Sequence, residues 1–148
     1  MSKKEKELMI ASIEEKIEQS IKDKSNKLFL YKRDYESVDR FLFKAVLMHF
    51  NQHMDHAVIE YPGSLIEIQI SYYHPLVMVY HGAEIGEKVN QVKAHLAACK
   101  QQKKRTISLH LQEYSLNVFV HKAIISYLQT EDYSFKIQKD DTLSVKLR

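Results

Sequence analysis

Residues 65–72 read Leu-Ile-Glu-Ile-Gln-Ile-Ser-Tyr. Ile66, Ile68 and Ile70 fall on every second position, with Glu67, Gln69 and Ser71 between them. Side chains of an extended strand point alternately to opposite faces. The spacing therefore predicts a strand with one apolar and one wet face, as in an antiparallel sheet covered on one side only. Upstream, Pro62-Gly63-Ser64 supplies a turn and 57–61 a first strand. Downstream, Leu76-Val77-Met78-Val79-Tyr80 is apolar on both sides. It predicts a more central third strand, stopped by His81-Gly82.

The same alternation returns at 106–112, with Ile107, Leu109 and Leu111 inward and Ser108, His110 and Gln112 outward. Segments 133–138 and 142–147 pair as a hairpin around Asp140-Asp141. Helical spacing marks 37–53 with Ser37 as N-cap, 84–100 and 115–129. The 37–53 helix is apolar on almost all sides, which predicts burial rather than amphipathicity. At the start, 2–24 is a charged helix with a seam one residue wide, formed by Ile10, Ile13, Ile17 and Ile21. Residues 27–32 form a short strand or an extended link. The order ααβββαβαββ predicts an α+β two-layer sandwich, a largely antiparallel sheet with helices on one face. Residues 1–24 are an amphipathic N-terminal helix and 25–148 a single domain.

Composition sets the outer bounds. The chain has 148 residues, with 22 Lys and Arg against 19 Asp and Glu, a net charge of +3. It can fill a core, and collagen-like or disordered architectures are excluded. Its three glycines and two prolines all lie between Pro62 and Gly86, so elsewhere Asp, Asn and Ser must make the turns. No stretch approaches the ~20 apolar residues of a membrane span. The N-terminus has no apolar signal-peptide core. One cysteine, Cys99, cannot form an internal disulfide, and it falls on the apolar stripe of its helix. Together these point to a cytoplasmic protein without a membrane partner.

Four sets of residues bear on function. His49, His53 and His56 stand in His-x3-His-x2-His, and a pair at i,i+4 is how helices offer two imidazoles to zinc or iron. No glutamate lies between them as in zincins. A packing role beside Met48, Phe50 and Met54 competes with the metal reading, and no cofactor is expected. Asp55, Glu67 and Gln69 form a candidate acid cluster. Their spacing, with the helix–three strands–helix–strand order of 37–112, resembles the core of the restriction-endonuclease-like family. That resemblance implies a metal-dependent nuclease. Here glutamine fills the lysine position of that family's Glu-x-Lys, and the third strand holds neither acid nor lysine.

The third set is basic. Residues 100–148 carry nine bases and five acids, and Lys103, Lys104, Arg105, Lys136, Lys146 and Arg148 offer phosphate contacts. The fourth is the Ile10/Ile13/Ile17/Ile21 seam, which must dock on its own domain, a protein partner or a second copy. No two independent features agree on one reaction. The sequence therefore reads as a non-enzymatic protein-binding or adaptor module, with a homodimer among its candidate states. The alternative is a nucleic-acid-associated protein using the basic C-terminal third, with a divergent restriction-endonuclease-like nuclease fold as its enzymatic version.

Overall fold

The computed structural model describes residues 3–147. Helices and antiparallel strands alternate along the chain, an α+β fold. The strands form two sheets of three rather than one. The chain divides into two compact units, Met1–Tyr80 and His81–Arg148.

The first unit contains α1 (Lys3–Lys22), β1 (Lys27–Tyr31), a 3-10 turn (Lys32–Tyr35), α2 (Arg40–Gln52), β2 (His56–Tyr61) and β3 (Leu65–Ile70). Asp39, not Ser37, caps α2, its carboxylate accepting from the Phe41 and Leu42 amides at 2.7 and 3.1 Å. Both residue types suit the position. The sheet order is β1-β3-β2, all antiparallel. Leu28, Ile68 and Val58 share one row, and Leu30, Ile66 and Glu60 the next. Ile66, Ile68, Ile70 and Leu30 are buried, so this is the core face, with α1 packed on β1 and α2, and α2 on β2.

The segment 76–80 is a correction. It is not a strand but the beginning of α3 (Pro75–Gln101). An apolar run of five has no period to distinguish strand from helix. Pro75 sits at the first helical position, where a missing N–H costs nothing. The Leu76 amide donates to His74 Nδ1 at 3.0 Å. Gly82, read as a stop, lies inside the helix. The boundary between the units falls within α3, after Tyr80.

The second unit holds the rest of α3, then β4 (Thr106–His110), α4 (Leu111–Tyr114), α5 (Val118–Thr130), β5 (Ser134–Ile137) and β6 (Thr142–Lys146). Its sheet order is β4-β6-β5, with β5 and β6 paired as the hairpin read from sequence. Leu109, Leu143 and Val145 are buried on one face together with the α3 stripe Ile85, Val92, Leu96 and Cys99. Ile137, paired with buried Leu143, is 64% exposed at the sheet end. With no glycine available, left-handed turns fall on Lys103, Asp132, Asp140 and Asp141. Aspartate adopts this conformation more readily than most residues.

Candidate functional site

The three histidines read as metal ligands do gather, and a fourth joins them. His49 and His53 end α2, His56 opens β2, and His74 precedes α3. Ring centroids are 4.8 Å apart for His49–His53, 6.2 Å for His53–His56 and 5.0 Å for His56–His74. With Glu14, Ile17 and Phe50 they line a cavity of about 150 Å³. The rings meet tilted or edge to face, and Phe50 stands edge-on to His49 and His56. Among the described residues no three His, Cys, Asp or Glu side chains are placed to hold a metal ion. The rings of His49, His53, His56 and His74 thus form a packed aromatic cluster.

Its electrostatics are set by burial. His56 is pushed down to about 4, first by burial and then by the His74 charge, with Asp55 opposing. Burial, then His53 and Lys6, lowers His49 against Glu14. Burial lowers His74 against Asp55 and Glu14. Among the described residues His56 Nδ1 is buried without a hydrogen-bond partner. In the unfolded chain His56 titrates near 6.5, above its folded value. The unfolded state therefore binds the proton first as pH falls. Stability is whole above about pH 6.5 and is lost toward pH 4, by about 1–2 kcal/mol once solvent screening of a half-buried ring is allowed for. Urea midpoints at about pH 7.5 and 4.5 measure this loss, and His56→Phe should remove most of the His56 part of the slope. An unchanged slope in that variant would locate the titration elsewhere.

Of the acid cluster, Glu67 and Gln69 meet and Asp55 lies apart. Glu67 pairs across the sheet with Phe29 and Ile59, whereas Asp55 precedes the His56–Ile70 pair. Four residues of strand, about 13 Å, separate Asp55 from the Glu67 row. Glu67 lies on the open face of the sheet but is itself covered. It is 4% exposed, and it accepts from Gln69 Nε2 at 2.7 Å and from the Tyr61 hydroxyl at 3.4 Å. Phe29, Ile59 and Tyr61 share its face and shield it, a consequence of cross-strand neighbours that one strand's pattern does not contain. Burial and the Glu67 charge together hold the Tyr61 hydroxyl above its ordinary value.

The isoleucine seam is internal. Ile13, Ile17 and Ile21 are 0%, 1% and 0% exposed, and Ile10 is half-buried. Cys99 is buried, its sulfur 3.7 Å from His95 Nε2 on the preceding turn. Lys103, Lys104, Arg105, Lys136 and Lys146 are all exposed, and Arg148 lies outside the described residues.

One feature was missed from sequence. A groove of about 650 Å³ runs between the 3-10 turn, α2 and β2. Tyr35 and Phe43 stack at its wall, 4.8 Å between centroids and 24° between planes. Leu47, Met48 and Val58 line it, and Asn51 Oδ1 accepts from the Val58 amide at 3.1 Å. Lys32 and Glu60 bridge across it at 3.8 Å. Arg40 and Lys44, one turn apart on α2, add positive charge, opposed by Glu36. On the same helix Phe41 is 74% and Met48 51% exposed. The all-round apolar pattern of α2 predicted a helix covered on every side, yet one of its sides is open. That excess of apolar residues was the signal in the sequence.

No family model, curated protein or solved structure matches the chain. Among the described residues no helix is long and apolar enough to cross a membrane.

Proposed function

We propose that the protein is a non-enzymatic binding module that takes a segment of a partner protein in the groove beside α2. The observation that carries this is the open side of α2. Phe41 and Met48 project from a helix whose other face is buried, beside a groove with an aromatic wall. Large apolar side chains left exposed together cost free energy that a docked partner recovers. Methionine suits such a surface, because its flexible thioether adapts to different shapes. Grooves that bind peptides combine an apolar floor with polar groups that fix orientation.

Charge selects the occupant. Among the described residues neither Arg40 nor Lys44 is ion-paired, whereas Lys32 is held by Glu60. The partner segment is therefore one bulky apolar residue flanked by Asp or Glu. Selection from a displayed random-peptide library against the full chain tests this. Enriched peptides should share that pattern. They should bind Phe41→Asp and Met48→Asp variants at least tenfold more weakly, since loss of a central anchor costs more than ~1.4 kcal/mol. Both positions are exposed, so the variants should keep the wild-type circular dichroism. Peptides that bind both variants as well as wild type would sink the proposal, as would a library without enrichment.

A further inference from the structure

We propose that the outer face of the second sheet is a contact surface for the phosphate backbone of a nucleic-acid duplex. The register fixes what this face carries. Lys146 stands between Thr106 and Ser134, Ser144 between Ser108 and Lys136, and Thr142 beside His110. The face therefore presents small hydroxyls, an imidazole and two lysines, with neither a carboxylate nor a large apolar group. Such side chains are the ones that contact phosphates without reading sequence. Short hydroxyls also keep the surface low enough for a bulky backbone to approach.

The cations are available. Among the described residues Lys103, Lys104, Arg105, Lys136 and Lys146 make no ion pair. Glu131 and Asp132 line a cavity with Lys146 but do not pair with it. In the β5–β6 turn Asp141 is engaged by His121 at 3.8 Å and Gln112 at 3.5 Å. Lys103–Arg105 follow the C-terminal end of α3, where cations also complement the helix dipole. The lysines of the sheet have no such second role.

Spacing and composition choose the partner. Lys136 and Lys146 are diagonal neighbours on adjacent strands, about 7–8 Å apart. That is the rise of roughly two nucleotides along one strand of a duplex. Among the described residues the face has no Phe, Tyr or Trp, and its one ring, the His110 imidazole, is tied to Thr142 Oγ1 at 3.1 Å, so a single strand gains little by base stacking there. It also has no apolar side chain to enter a bilayer, which disfavours a lipid surface.

Fluorescence anisotropy with a labelled DNA duplex of about 20 base pairs tests the proposal between about 50 and 200 mM salt. Affinity should fall as salt rises. The Lys136→Gln/Lys146→Gln variant should bind about tenfold more weakly and lose about 1.8 from the log–log salt slope, two phosphates' worth. A Lys16→Gln control, at an exposed position of α1, should behave as wild type. A labelled oligothymidylate of equal length should bind less tightly than the duplex. Four results would overturn the inference: no duplex binding at the lowest salt, a double variant indistinguishable from wild type, tighter binding of the single strand, or equal lysine-dependent binding to phosphatidylserine vesicles.

Discussion

Replacing Ile13, Ile17 and Ile21 together by alanine should unfold the first unit. These side chains are the full inward stripe of α1, each at most 1% exposed, against α2 and β1. Truncating a buried isoleucine to alanine costs about 2–5 kcal/mol, through lost transfer free energy and the cavity left behind. Three such losses total about 6–15 kcal/mol, as large as the stability of a typical domain. Ile17→Ala alone should cost about 3 kcal/mol. Half-buried Ile10 should cost about 1 kcal/mol when truncated, because less surface is at stake. The rest of α1 is charged and polar and contributes little by itself, since most helical stability in a folded chain comes from packing of the apolar face rather than from propensity. Urea denaturation followed by circular dichroism reads all of these. A triple variant melting at the wild-type midpoint would mean that α1 is not docked as described. A concentration-dependent wild-type midpoint would mean instead that a second copy shares the seam.

The same residues show how far the sequence could be read. Spacings of three and four among Ile10, Ile13, Ile17 and Ile21 define a helix face without ambiguity, but leave open what covers it. Alternation in 65–70 located β3 and its core face correctly. It failed for Glu67, because burial of an outward residue depends on strands brought alongside from 29 and 59. Segment 76–80 failed for a different reason: a short run of uniform hydropathy fits strand and helix equally, and Pro75 favoured the helix. The histidines were visible as His49, His53 and His56. His74 and Glu14 join them only through the tertiary fold. The open side of α2 was legible only as an excess of apolar residues, which local pattern equates with burial. The two sheets had no separate signature, because each strand's alternation says which face is dry and nothing about which neighbour it finds.

Asn117→Ala should lower stability by about 3 kcal/mol, the largest effect expected of any single polar residue in the second unit. Asn117 is 1% exposed. Its Oδ1 accepts from the Phe119 amide at 3.0 Å, capping α5. Its Nδ2 donates to Glu84 Oε1 at 2.8 Å and lies 3.2 Å from His81 Nδ1, both on α3. Its own amide donates to Ser115 Oγ, whose hydroxyl donates to Glu84 Oε2, each at 3.0 Å. One side chain thus both starts α5 and ties it to α3. Loss of the cap costs about 1 kcal/mol. Loss of a hydrogen bond to a carboxylate costs about 1.5–3 kcal/mol more. Asn117→Ser separates the two roles, since serine can cap but cannot reach Glu84, and it should cost about 2 kcal/mol. Asn117→Asp keeps the cap but sets a carboxylate against Glu84, and should be the worst of the three. The shared contact makes the sites non-additive: in a cycle with Glu84→Gln the coupling should reach about 1 kcal/mol. Urea midpoints at constant m-value supply every term. Strict additivity with Glu84→Gln, or serine costing as much as alanine, would reduce Asn117 to a helix cap and leave the link between α3 and α5 to apolar packing alone.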